Sequence, residues 1–188
     1  MSQIICICGP SGVGKTSVLE ELKKLDNPWS YPVSTTTRIP RSEEKAGEYY
    51  HFISDENFTA KVEKGDFIEY AVVHDIQYGL QKVDMEAFWT NGIEKTIVLV
   101  DIQGVRTIKN YYPNVMSIFL MPNNFSDLEE RLQARIPDNP EEISLRLANA
   151  KIEINEHKRE CDWQVINNKD NLTDTVGSVV NIIDGYKL

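Results

Sequence analysis

Five apolar residues, Ile4-Ile5-Cys6-Ile7-Cys8, lead without a break into Gly9-Pro10-Ser11-Gly12-Val13-Gly14-Lys15-Thr16. Such a continuous apolar run is the mark of a strand covered on both faces, as in a parallel sheet. Beyond the glycine-rich turn, Val18, Leu19, Leu22 and Leu25 recur at helical spacing until Asp26-Asn27-Pro28 stops them. The turn satisfies G-x-x-x-x-G-K-[ST] in full, and each part has a physical reason. Glycines let backbone N–H groups turn inward around phosphate oxygens, and the helix N-terminus behind them adds its dipole. Lys15 then reaches the outer phosphates, and the Thr16 hydroxyl is a ligand for Mg²⁺. An ordinary glycine turn is the alternative; the strand before it and the helix after it argue against that.

Three more segments carry buried-strand signatures: Thr96-Ile97-Val98-Leu99-Val100, Met116-Ser117-Ile118-Phe119-Leu120-Met121 and the shorter Trp163-Gln164-Val165-Ile166. Ser126-Asp127-Leu128-Glu129 fits a capping box and predicts a helix through Arg131 and Leu132 to Arg135. Asn139-Pro140-Glu141-Glu142 fits another, with proline at the first helical position. Its helix carries Ile143, Leu147, Ala150 and Ile154 on one stripe and is predicted to run to about Glu160. A last helix begins after Thr173, with Val176, Val180 and Ile183 on its apolar side. Strands alternating with helices predict a three-layer α/β domain with a parallel sheet. Residues 33–80 differ. They are rich in β-formers and turn residues without a long helical period, and predict a small mixed insertion projecting from the sheet.

The chain has 188 residues, enough for one domain or one domain with a small insertion. Its 29 acidic and 20 basic residues give a net charge of −9, which excludes a nucleic-acid-coating protein but not a local basic pocket for a small anion. The apolar stretch near the N-terminus is short, with no basic flank or cleavage site, and no window is apolar enough for a membrane helix. A cytoplasmic protein with no membrane or nucleic-acid partner is expected. Cys6, Cys8 and Cys161 have no metal-ligand spacing and read as reduced, buried thiols. His51, His74 and His157 are scattered and are assigned no chemistry. Asp101 closes an apolar strand, where a carboxylate either organises a metal or caps the next helix; the sequence leaves both open.

The glycine loop and the motifs downstream of it together make the chain resemble the guanylate kinase family from end to end. Ser34-Thr35-Thr36-Thr37-Arg38-Ile39-Pro40-Arg41 matches its S-x-T-T-R-x-P-R segment, and Gly47 to Phe52 matches G-x-x-Y-x-F. Phe67-Ile68-Glu69-Tyr70 matches F-[IL]-E-[WY], Tyr78-Gly79 the Y-G pair, and Asp101-Ile102-Gln103-Gly104 the D-x-Q-G motif. Arg131-Leu132, Arg135, Arg146-Leu147 and Val165-Ile166-Asn167 fall where the family keeps its lid and adenine-side motifs. The resemblance implies a P-loop kinase with a core of residues 1–32, 94–124 and 148–188, a monophosphate-binding insertion at 33–93 and a helical lid at 125–147.

The resemblance also implies roles. Gly9 to Ser17, with Arg135 and Asn167, would bind ATP. Ser34, Arg38, Arg41, Tyr50, Glu69, Tyr78, Leu80 and Asp101 would line the GMP site. Lys15, Arg38, Arg131 and Arg146 would be catalytic, and Thr16 would hold Mg²⁺, with Asp101 a further ligand through water. Chemistry makes sense of the set. Arg38, Arg41, Tyr50 and Tyr78 offer two guanidinium forks and two phenols to a 5′-phosphate. Glu69 offers two acceptors to the N1–H and 2-amino donors of guanine. Arg131 and Arg135 stand at i, i+4 on one helix face.

The chain departs from the family at Leu80, where a serine or threonine helps to read the base, and at Leu99, Tyr49, Ile136-Pro137 and Asn168. The expected activity is transfer of the γ-phosphoryl of MgATP to GMP or dGMP, by a monomer or weak homodimer. The alternatives are a related kinase whose purine specificity Leu80 shifts, and a non-catalytic phosphopeptide-binding module. The intact Lys15 and Thr16 disfavour the module.

Overall fold

A computed structural model describes residues 3–40, 44–48, 50–90, 92–112 and 114–185, the side chains of 87–89 excepted. In chain order it begins with β1 (Gln3–Cys8), α1 (Lys15–Lys24), β2 (Trp29–Ser30), β3 (Ser34–Thr36) and β4 (Tyr50–Phe52). Then come α2 (Asp55–Glu63), β5 (Phe67–Val73), β6 (Ile76–Gln81), α3 (Lys82–Thr90), β7 (Lys95–Leu99) and α4 (Ile102–Tyr111). It closes with β8 (Val115–Pro122), α5 (Phe125–Arg135), α6 (Pro140–Glu156), a 3₁₀ turn (His157–Glu160), β9 (Trp163–Asn167) and α7 (Leu172–Gly185). A five-stranded sheet has the order β2-β7-β1-β8-β9, with β2–β7 and β8–β9 both parallel. The expected α/β class with a parallel sheet is what forms.

The chain makes two compact units, Met1–Ile4 with Pro28–Val115 and Ile5–Asn27 with Met116–Leu188. In the first, a second sheet of order β4-β3-β6-β5 joins β3 to β4 in parallel and β3–β6 and β6–β5 antiparallel. The β5–β6 hairpin turns at His74 and Asp75, both with positive φ, as a two-residue turn between twisted strands requires. Phe58, Phe67, Leu80 and Met85 fill the core around this sheet, and α4 packs on β5. In the second unit Ile5, Ile7, Ile118, Phe119 and Leu120 are buried strand residues, and α1 packs with α7 and α5 with α6.

Several expectations need correction. Leu25 does not extend the apolar face of α1: it lies past the helix end and is 43% exposed. Helix α5 starts earlier than the Ser126–Glu129 box predicts. Its N-cap is Asn124, whose N–H donates to the Asp127 carboxylate at 3.2 Å. The Asn139 cap forms as expected, its side-chain oxygen accepting from the Glu142 N–H at 3.0 Å. The α-helix it opens ends at Glu156, and the 3₁₀ turn carries the chain to Glu160. On α7 it is Val179, not Val180, that is fully buried. Helix α2, capped by Ser54, lies inside the stretch expected to lack helical period. Phe58 is its single buried residue, so its sequence carries almost no amphipathic signal. Among the described residues no helix is long and apolar enough to cross a membrane.

Candidate functional site

The second unit holds the glycine loop. It leaves β1 at Gly9 and enters α1 at Lys15, with Gly14 at the N-cap in the left-handed region, φ 98°. A Cβ at Gly14 would stand 2.4 Å from the Asn167 amide nitrogen, so the position requires glycine for both conformation and space. Because Gly14 has no side chain and no acid occupies the first turn, the helix N-terminus keeps its partial positive charge. Lys15 folds back over the loop, its Nζ donating to the carbonyls of Gly9 and Pro10, the latter at 3.2 Å. Thr16 is half-buried and Ser17 exposed.

Three further side chains converge on this loop from distant sequence. Arg131 on α5 donates to the Val13 and Gly12 carbonyls at 2.9 and 3.2 Å. Asn167, at the end of β9, donates to the same Val13 carbonyl at 2.6 Å, while its buried Oδ1 has no hydrogen-bond partner among the described residues. Arg146 on α6 is buried; it donates to the Ser11 hydroxyl at 3.0 Å and is held by Glu142, with Nε to Oε1 at 2.9 Å. Arg135 is exposed at the end of α5. Two of the arginines thus approach the loop directly, from two consecutive helices.

The first unit assembles a different kind of site. Ser34 lies on β3, Tyr50 on β4, Glu69 on β5, and Tyr78 and Leu80 on β6. The Tyr50 and Tyr78 rings meet edge to face, with centroids 5.9 Å apart. The Arg38 guanidinium lies 5.5 Å from the ring centroids of both Tyr50 and Phe52. It donates to the Glu44 carboxylate and to the Ile39 carbonyl, each at 2.9 Å. Arg41 and Tyr49 lie outside the described residues.

Glu69 is the most unusual group in this unit. It is only 5% exposed, and its pKa is pushed up to about 8, by burial first and then by the neighbouring Asp101 charge. The Leu80 backbone N–H bonds the carboxylate and opposes the shift in part. Leu80 faces Glu69 across the β5–β6 ladder, where the register slips between Phe67 and Glu69. A Cβ on Gly104 would come within 2.7 Å of Glu69 Oε2, so the carboxylate occupies space that only glycine leaves. Asp101 caps α4: its carboxylate accepts from the Gly104 N–H and from the Gln103 amide, each at 2.9 Å. Of the two roles the sequence leaves open for Asp101, the cap is formed.

A family model described as guanylate kinase matches residues 1–186. The chain belongs to the guanylate kinase family. Among its relatives, the guanylate kinase of Thermotoga maritima is 41% identical over 183 residues, 96% of this chain and 86% of that protein. That of Rickettsia prowazekii is 39% identical over 180 residues, covering 96% of this chain and 89% of the relative. The crystal structure of guanylate kinase from Anaplasma phagocytophilum has a TM-score of 0.75 at 28% identity, over 98% of this chain and 85% of that one.

Within this guanylate kinase family member, the candidate ATP residues Gly9 to Thr16, Arg131, Arg146 and Asn167 gather in one unit. The candidate GMP residues Ser34, Arg38, Tyr50, Glu69, Tyr78, Leu80 and Asp101 belong to the other. Sequence reasoning misses two neighbours. Glu44 binds Arg38, and its only signal is an acid three positions after the second arginine of the motif. Gly104 belongs to the D-x-Q-G motif, but its function in making room for Glu69 shows only in three dimensions.

Proposed function

We propose that this protein is a guanylate kinase, an enzyme that transfers the γ-phosphoryl group of MgATP to GMP or dGMP and releases ADP and GDP or dGDP. The observation that carries the reading is the buried Glu69 carboxylate in the space left by Gly104. Ionised, it supplies two acceptors to the adjacent N1–H and 2-amino donors of guanine, which adenine does not have. Tyr50, Tyr78 and Arg38, together with Arg41, are our candidates for the 5′-phosphate of the acceptor. Ser34, Leu80 and Asp101 complete the GMP side.

On the donor side, the Gly9 to Ser17 loop cradles the ATP phosphates with its backbone N–H groups, Pro10 excepted, Lys15 compensates charge on the transferring group, and Asn167 and Arg135 border the nucleotide. Among the described residues no three carboxylate, thiol or imidazole groups converge to hold a metal by themselves. Mg²⁺ bound through phosphate oxygens needs no such cluster, and the Thr16 hydroxyl on the first turn of α1 is the hard oxygen donor it takes. Thr16 would hold the ion, which would supply charge neutralisation on the phosphates. The acceptor phosphate is already ionised, so no general base is required. Arg38, Arg131 and Arg146 align and stabilise the group in flight.

We assign residues 33–93 to an acceptor-binding insertion, 125–147 to a lid, and the remainder to the core. The net charge of −9 argues against a nucleic-acid partner, and we place the protein in the cytoplasm as a monomer or weak homodimer without a membrane partner. The test is an ADP-release assay across the common ribo- and deoxyribonucleoside monophosphates. Turnover with GMP and dGMP and little with AMP, CMP or UMP is the expected result; no turnover with GMP defeats the reading.

A further inference from the structure

Cys8 and Cys161 are 153 residues apart in sequence, yet their Sγ atoms stand 3.3 Å from each other in the interior of the second unit. Cys8 is the last residue of β1 and the one immediately before Gly9. Its own S–H also reaches the Ile118 carbonyl, at 3.7 Å. A disulfide has an S–S separation of about 2.05 Å, so the two sulfurs need only a short further approach to bond. We propose that Cys8 and Cys161 form a peroxide-sensitive thiol pair whose disulfide weakens the hold of the glycine loop on ATP.

The surroundings decide which end moves. Cys161 is followed by Asp162, whose carboxylate accepts from the Ser117 N–H at 2.7 Å and from its hydroxyl at 2.8 Å, while the Ser117 oxygen accepts from the Asp162 N–H at 3.1 Å. That clasp fixes the Cys161 side. Cys8, at the end of the buried central strand β1, is joined directly to Gly9, so closing the gap between the sulfurs pulls on Gly9. Gly9 has little slack: a Cβ there would stand 2.4 Å from the Leu120 carbonyl oxygen, and the Gly9 carbonyl accepts from Lys15. Displacing Gly9 therefore shifts the loop entry and the anchor of Lys15 together.

The chemistry balances with a hydroperoxide as the oxidant. Cys161 is 8% exposed and Cys8 fully buried, so the peroxide meets Cys161 first. The Cys161 thiol becomes a sulfenic acid as the O–O bond breaks and one water leaves. The Cys8 sulfur then attacks the Cys161 sulfur, the S–O bond breaks, and the hydroxyl departs as a second water with the Cys8 proton. Two thiols and one hydrogen peroxide give one disulfide and two waters. The contact with Cys161 and burial hold the Cys8 thiol well above the ordinary range. Little Cys8 thiolate is therefore present in the reduced pair.

The functional half rests on the reading of the loop as the ATP phosphate site. The test treats the full chain with hydrogen peroxide, alkylates remaining thiols and maps peptides without reduction, while initial rates are measured against ATP at saturating GMP. The expected result is a Cys8–Cys161 linked peptide and a KM for ATP raised several-fold, both reversed by dithiothreitol. Cys161→Ser, or Cys161→Ala if serine is not tolerated, should keep the basal rate and lose the response, and Cys6→Ser should respond as the parent does. A parent that forms no linked peptide overturns the proposal, as does a linked protein whose KM for ATP is unchanged. Failure of the loop reading itself shows separately, as full activity in Lys15→Ala.

Discussion

The two units hold their candidate binding groups differently. In the second, the side chains that converge on the glycine loop reach backbone carbonyls and a hydroxyl: Lys15 on Gly9 and Pro10, Arg131 on Gly12 and Val13, Asn167 on Val13, Arg146 on Ser11. In the proposed function this loop is the one that takes the phosphates. In the first unit the candidate groups are side chains. Arg38 stacks on Tyr50 and Phe52 and pairs with Glu44, and Glu69 is buried beside Asp101 in a gap kept open by Gly104. A backbone cradle tolerates many bases. A buried carboxylate does not, because an unmatched acceptor costs about 1–3 kcal/mol, more when charged. On the proposed function, charge handling falls to one unit and base choice to the other.

The largest expected effect strikes the loop. Lys15→Ala should lower kcat by at least ~10²-fold and leave the KM for GMP nearly unchanged, because the lysine acts on charge developed during transfer. A comparable loss in the KM for GMP would dissolve the division between the units.

Next is Glu69→Gln. Half the acceptor capacity toward guanine is lost, and kcat/KM for GMP should fall ~10²-fold with the KM for ATP unmoved. The parent should also be pH-sensitive at this residue. With a pKa near 8, the carboxyl is mostly protonated at pH 7 and must lose its proton to accept from both guanine donors. The KM for GMP should therefore fall several-fold between pH 7 and pH 8, and a flat profile would mean another group reads the base. Stability moves the opposite way. A carboxyl whose folded pKa lies above its unfolded value destabilises the fold progressively from about pH 4.5 up to about 8. Glu69→Gln should consequently raise Tm over the parent at pH 8 and change it little at pH 4.5, read by thermal melts.

Arg38→Ala comes third. A charge-assisted phosphate contact is worth roughly 1.5–3 kcal/mol, so the KM for GMP should rise ~10-fold or more while the KM for ATP holds. Saturation curves that overlay the parent's would put the phosphate elsewhere.

Legibility obeys the same divide. The loop is readable because its chemistry is local: strand, glycines, lysine, threonine and helix are contiguous, and the Asn139 cap is readable for the same reason. Local signals fail where they are degenerate. Asn124 with Asp127 and Ser126 with Glu129 satisfy the same spacing rule two residues apart, and the earlier pair is the one that forms. Glu69 and Arg38 emerge only through family resemblance, since a lone glutamate or arginine carries no sign of its burial. The Glu44 partner, the gap at Gly104 and the Cys8–Cys161 contact depend on residues brought together by the fold, and no spacing rule encodes them.

The smallest expected effect concerns Leu80, which is 1% exposed and donates its backbone N–H to Glu69. Leu80→Ser adds a hydroxyl beside the base and should improve GMP over 2,6-diaminopurine monophosphate several-fold in kcat/KM. The shortened side chain should also lower Tm, since truncating a buried leucine costs about 2–5 kcal/mol. An unchanged ratio between the two acceptors would reduce Leu80 to packing.

Calorimetric titration of Lys15→Ala and Arg38→Ala with GMP and, separately, with a non-hydrolysable ATP analogue and Mg²⁺ tests the division of labour directly. A crossed pattern is expected: Lys15→Ala binds GMP like the parent and the ATP analogue more weakly, while Arg38→Ala binds the ATP analogue like the parent and GMP at least ~10-fold more weakly. If either variant loses both ligands equally while remaining folded, the two units do not divide phosphate donor from acceptor.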